Sequence, residues 1–236
     1  MVKKFEDEVQ ASLENEPYYY YDSHPLDDEI MGQSVLHADL IDYLIEVLQW
    51  FFSGQLVAIY ESLNFYRTRD RKEKPVAPDI AVIKGVEREE GLSWALGPNH
   101  PAPHVVFEIA SAETWKTDLE VKPEKYGTMG VEEYYVYDPN PVSLWHDPSR
   151  RLLGWRLDQS RKEMVPMPPD PQGRLWSPHL NSWLVPDGKL LRLYGRDGHM
   201  RLTEKEVQKQ RAEAEAQRAR ALAEKLRSLG VNPDEL

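Results

Sequence analysis

Cysteine is absent from the 236 residues. That excludes a disulfide framework, a thiolate zinc site and a cysteine nucleophile. Long apolar runs are missing too. The strongest stretch, residues 44–52, is interrupted by Glu46 and Gln49, so no membrane-spanning helix is expected. The opening MVKKFEDEVQ lacks the apolar core of a secretory leader. These absences lead us to expect a soluble cytoplasmic protein without a membrane partner. Positive charge is scarce as well: 29 Lys and Arg against 40 Asp and Glu leave a formal charge of −11. Coating nucleic acid non-specifically calls for a basic surface, so that class is disfavoured, whereas an enzyme whose acids hold metal is not. No Gly-rich phosphate cradle, serine nucleophile elbow, zinc-finger spacing or internal repeat is present.

What the chain does have is enough to build a core, with 41% hydrophobic and 29% charged residues. Residues 1–34 form an acidic extension, nine acids against Lys3 and Lys4, expected to be irregular with a short helix near 6–13. An amphipathic helix is predicted over 35–52: Leu36, Leu40, Leu44, Val47, Leu48 and Phe51 recur at helical spacing, with Ser34 as N-cap. The period then changes. Residues 56–60, 64–66, 79–83, 104–110, 133–137, 144–146 and 152–157 read as short strands, with one helix over about 119–129 that Gly130 ends. Residues 158–200, rich in Pro and Gly, are expected to be loops and short edge strands. From 203 a Thr-x-x-Glu capping box opens a helix that runs to Leu229. The order implies a mixed α/β domain over 35–200, an extension over 1–34, and a C-terminal helix and tail over 201–236. That helix is thin in large apolar groups, so self-association is expected.

Three segments carry chemistry. Asp79 follows Pro78 at the mouth of an apolar strand. Glu108 sits inside the run Val105-Val106-Phe107-Glu108-Ile109-Ala110, which otherwise reads as a buried strand. A buried carboxylate needs a cation, a hydrogen-bond donor or a proton. Asp118, Lys122 and Tyr126 are spaced by four and share a face if one helix spans them. Two carboxylates on neighbouring strands plus a strand carbonyl suit Mg²⁺ or Mn²⁺, and a nearby lysine could orient or help deprotonate an attacking water. Each residue also has an ordinary structural explanation: a turn for Asp79, an internal ion pair for Glu108, a solvated face for Lys122. The run Arg67, Arg69, Arg71, Lys72 and Lys74 could grip phosphates, or could be a solvated loop balanced by Asp70 and Glu73.

The runs APDIAVIKGV, HVVFEIASAETWKTDLEVKPEKYGTMGVEEYYVYDP and DGHMRLTEKE, the last with its Ala/Glu/Arg helix, resemble the Uma-two family of bacterial restriction-endonuclease-like proteins. The likeness covers about residues 30–230. It implies the PD-(D/E)XK nuclease fold, a central four-stranded mixed sheet flanked by helices, and Mg²⁺-dependent cleavage of DNA phosphodiesters. Carried over, Asp79 and Glu108 would bind the metal and the Ile109 backbone carbonyl would complete the protein ligands. The family pattern departs from the standard motif, which places lysine two residues after the second acid, where this chain has Ala110. Lys122 takes that role, with Lys125 as the fallback and a further phosphate-binding candidate. Ser111, Thr114, Asp118 and Tyr126 also match the pattern, as orienting residues. The resulting expectation is a metal-dependent endonuclease acting on DNA, working as a homo-oligomer and most simply a dimer. The alternative is a nuclease fold kept as a non-catalytic binding module.

Overall fold

The computed structural model describes residues 35–140 and 142–229. The short helix expected near 6–13, the Ser34 cap and the stop signals at Gly230 and Pro233 lie outside the described residues. The described residues open with α1 (Val35–Phe51), whose buried face is Leu40, Ile41, Leu44, Val47 and Leu48. That spacing forms one continuous stripe on a helix.

The strands β1 (Val57–Glu61), β2 (Asn64–Tyr66), β3 (Ile80–Lys84), β4 (Ser93–Ala95) and β5 (Val105–Ile109) follow. Next come α2 (Trp115–Glu120), α3 (Lys122–Met129), β6 (Glu133–Tyr137), β7 (Leu152–Asp158) and β8 (Glu163–Pro166). The chain then adds β9 (Leu175–Ser177), β10 (Ser182–Asp187), β11 (Leu190–Tyr194) and α4 (Glu204–Ser228).

Six strands make a central mixed sheet in the order β1-β3-β5-β6-β7-β8. The expected four-stranded sheet is thus extended by β7 and β8. Only β5 and β6 are parallel; the other neighbours run antiparallel. A parallel pair needs a crossover, and α2 and α3 supply it. Both β5 and β6 are buried along their whole length. That is why Val105-Val106-Phe107 is continuously apolar: helices or a second sheet cover both faces.

The alternation of side chains divides the core in two. Ile80, Val82, Val105, Phe107, Ile109 and Tyr135 face α1 and the small sheet β11-β10-β9. Ala81, Ile83, Val106, Tyr134 and Val136 face the other way, where Tyr126 of α3 packs. Glu108 has the parity of Val106, so it points toward the crossover helices and away from α1. Two expectations need correction. The strand expected at 144–146 is a turn, where His146 takes a positive φ of 59° and Trp145 donates its indole N–H to the Arg150 carbonyl. The single helix expected over 119–129 is two helices, broken at Val121 just ahead of Pro123, which is set in the first turn of α3 where its missing N–H costs nothing.

Candidate functional site

The register of β3 against β5 builds the site. Ile80 pairs with Phe107, so one step further along, Asp79 lies opposite Glu108. The Ile109 N–H donates to Asp79 Oδ2 at 2.6 Å, which fixes that carboxylate against the end of β5. Glu108, 3% exposed, receives two donors on one oxygen: Lys122 Nζ lies 2.8 Å and the Tyr126 hydroxyl 2.6 Å from Oε1. Lys122 Nζ also lies 2.9 Å from Asp118 Oδ1. The break at Val121 therefore does not separate Asp118 from Lys122, because α2 and α3 continue with enough helical pitch to hold the i, i+4 pair.

A second layer orients these groups. Thr114 donates to Asp118 Oδ2 at 2.8 Å, and the Ser111 and Thr114 hydroxyls are 3.1 Å apart. The Tyr134 hydroxyl donates to the Asp118 carbonyl at 2.8 Å. The result is a buried cluster of Glu108, Asp118 and Lys122 with Asp79 at its edge.

Its electrostatics are dominated by burial. Removal from water pushes the Glu108 carboxyl up to about 8; the Lys122 ammonium opposes this, while Asp79 and Asp118 add to it. Asp118 is raised for the same first reason, with Lys122 again pulling the other way. Burial alone would lower the Lys122 amine, but the two carboxylates outweigh it and raise it. Burial and the neighbouring Glu108 raise the Tyr126 phenol well above its ordinary value, so it serves as a neutral donor.

One residue was not anticipated. His37, on the first turn of α1, brings Nε2 to 3.4 Å from Asp79 Oδ1. The signal was available: His37 precedes Ile41, Leu44 and Leu48 on the buried stripe of α1, where a polar side chain is out of place unless it meets a partner.

The other candidates lie elsewhere or are already engaged. Arg67 is paired with Glu73 through two donors. Lys72 lies 3.4 Å from Asp70, and Arg71 stands 5.3 Å over the Tyr66 ring. Arg69 lies against Gly97. Lys74 and Lys125 have partners as well.

Hard divalent ions take carboxylate and carbonyl oxygens and keep waters. Among the described residues no three Asp, Glu or His side chains form a ready-made metal cage. The fit is that of a two-carboxylate site. Glu108 commits Oε1 to Lys122 and Tyr126, and Asp79 commits Oδ2 to the Ile109 N–H. Glu108 Oε2 is the oxygen left for a cation, and Asp79 Oδ1, 3.4 Å from His37 Nε2, would have to be shared between the imidazole and the cation. The donors are all oxygen, which suits Mg²⁺ or Mn²⁺ better than a soft metal. Among the described residues no helix is long and apolar enough to cross a membrane.

No curated protein matches the chain. Among solved structures the chain is similar to one described as a "putative nuclease belonging to DUF820" from Anabaena variabilis ATCC 29413. That likeness has 16% identity and a TM-score of 0.44, covering 68% of this chain and 81% of that one. Residues 14–213 match the family described as "Uma2: Putative restriction endonuclease", a span that holds Asp79, Glu108, Asp118, Lys122 and Tyr126. The chain belongs to the Uma2 family.

Proposed function

We propose that this chain is a metal-dependent endonuclease that hydrolyses DNA phosphodiester bonds, acting in the cytoplasm with residues 35–200 as its nuclease body. The observation that carries the reading is the meeting of Asp79, Glu108 and Lys122 at the ends of β3, β5 and the crossover. Asp79, Glu108 and the Ile109 carbonyl would hold Mg²⁺ or Mn²⁺. When bound, such an ion supplies positive charge against the developing phosphoryl negative charge. The protein's own residues do the rest. The Ile109 N–H aims Asp79, and Tyr126 holds Glu108 by Oε1, which would leave Oε2 for the cation. Lys122, held between Glu108 and Asp118, would keep its third N–H for an attacking water or a scissile phosphate. Asp118 is anchored by Thr114 and keeps Lys122 from swinging away. The basic stretch Arg67, Arg69, Arg71, Lys72 and Lys74, together with Lys125, would track the DNA backbone. Arg67 and Lys72 would then exchange their carboxylate partners for phosphates. Two copies acting together match the two-fold symmetry of a duplex.

The test is cleavage of plasmid and short duplex DNA with Mg²⁺ or Mn²⁺. Asp79→Asn and Lys122→Ala should each slow cutting by about a hundredfold or more, while thermal melting shows the variants folded. Wild-type rates in both variants would sink the reading. A second reading, a nuclease fold kept as a binding module, is favoured by one observation: Lys122 Nζ already lies 2.8 Å from Glu108 Oε1 without any ion. Metal-insensitive DNA binding with no cleavage in either ion would establish it.

A further inference from the structure

Among the described residues α4 is a long element that brings no core of its own: over 25 residues it has no buried side chain. Leu222 and Leu229 are 60% and 70% exposed. Its root is tied down, through the Thr203 capping box, Lys205 Nζ at 2.6 Å from Glu46, and Glu206 at 3.6 Å from Arg192. Beyond that root the helix depends on propensity alone, which is marginal support for a helix in water.

The sequence of α4 repeats in sevens. Ala212, Ala219 and Leu226 occupy one seam position, and Ala216 and Ala223 the adjoining one, continued toward the root by Lys205 and Lys209. Beside that seam, at the same seven-residue spacing, stand Glu206, Glu213, Arg220 and Arg227. The flank is therefore acidic in its first half and basic in its second.

We propose that α4 pairs antiparallel with the α4 of a second copy of this chain, about a two-fold axis between residues 217 and 218. This deepens the two-copy reading above and does not depend on the nuclease chemistry. In that register Ala212 meets Ala223 of the partner subunit, and Ala219 meets Ala216 of the partner subunit. Small residues on both sides let the two backbones approach closely. Glu213 then faces Arg220 of the partner subunit, a contact that occurs twice by symmetry. Leu226 lies along the aliphatic stem of Lys209 of the partner subunit, whose ammonium reaches to water. A parallel pairing loses all of this. It would stack Lys205 and Lys209 on their own copies, which costs rather than gains.

The experiment uses the full chain in two measurements. Sedimentation equilibrium should give a dimer for the wild type. Glu213→Arg and Arg220→Glu should each weaken it by roughly tenfold, and the double swap Glu213→Arg/Arg220→Glu should recover most of that loss. The absence of cysteine allows single spin labels at Gln210→Cys and Gln217→Cys, positions seven apart on one face of α4. In the antiparallel pair the labels at 217 lie almost level across the dimer, while those at 210 are offset along the axis by about 22 Å. A wild-type monomer at every accessible concentration overturns the proposal and the two-copy reading together. A dimer that ignores the charge reversals, or that gives equal separations at 210 and 217, leaves the two-copy reading standing and overturns the antiparallel helix pairing.

Discussion

Asp79, Glu108, Asp118 and Lys122 share the interior end of the site, and of these four only Lys122 is a cation. Lys122 is a buried ammonium held between Glu108 and Asp118. Removing one partner of such a set is worse than removing all of it, because the remaining charge stays buried. Lys122→Met should therefore cost about 3 kcal/mol. The loss should be larger at pH 8 than at pH 6, because at the lower pH the abandoned carboxyls can take up protons; melting temperatures at the two pH values check it. Tyr126→Phe deletes a single donor to Glu108 and should cost about 1 kcal/mol, with a further fall in metal affinity if Tyr126 sets the direction of that carboxylate.

The raised Glu108 carboxyl also makes a prediction with a definite sign. The unfolded chain ionises Glu108 near 4.5, and the folded chain only near 8. Between those values the folded state holds a proton that the unfolded state has released. The metal-free protein should thus lose stability as pH rises from about 4.5 to about 8, and the raised Asp118 adds in the same direction. The raised Lys122 contributes stability that is lost only above 10.5, outside that window. A cation bound at Glu108 must displace the proton, so Mn²⁺ binding should tighten with pH across this range and release protons. Calorimetry in two buffers of different ionisation enthalpy measures that release, and pH-independent affinity would show that Glu108 is already ionised.

The elements differ in how plainly the sequence announced them. The amphipathic stripe of α1 and the apolar run of β5 were legible because burial imposes a period or its absence. The carboxylate inside that run was legible because Glu108 violates it. Other features were hidden in pairings. His37 becomes part of the site only through the packing of α1 beside Asp79, which no local pattern specifies. The strands β8 to β11 are short and lie in a Pro- and Gly-rich stretch, and their ladders and the shared core, not their own residues, make them strands. The register that sets Asp79 opposite Glu108 is likewise a tertiary fact. One local prediction is nonetheless strong: the capping box of α4 is present, with Thr203 Oγ1 accepting from the Glu206 N–H at 3.1 Å and Glu206 accepting from the Thr203 N–H at 2.8 Å. Thr203→Ala should fray the first turn of α4 at a cost of about 1 kcal/mol, seen as faster amide exchange over residues 204–207 with the sheet unaffected.

At the scale of the whole molecule the charge is uneven. Residues 1–34 carry a net −7 of the total −11, which leaves −4 for the rest of the chain. Deleting residues 1–34 should therefore tighten association with a short DNA duplex at low ionic strength, and the gain should shrink as salt screens the repulsion. Fluorescence anisotropy across a salt series tests it, and identical curves would show that the acidic extension is not felt at the DNA surface.

The length of α4 has a consequence for reach. If two such helices pair head to tail, the roots at residue 204 of the two copies stand about 40 Å apart along the shared axis. Lying along a duplex, that span corresponds to about 12 base pairs. The two bodies would then meet the double helix slightly more than one turn apart, on nearly the same side. The spacing of paired nicks becomes a ruler for α4: trimming one heptad from it should shift that spacing and leave the chemistry of each nick unchanged.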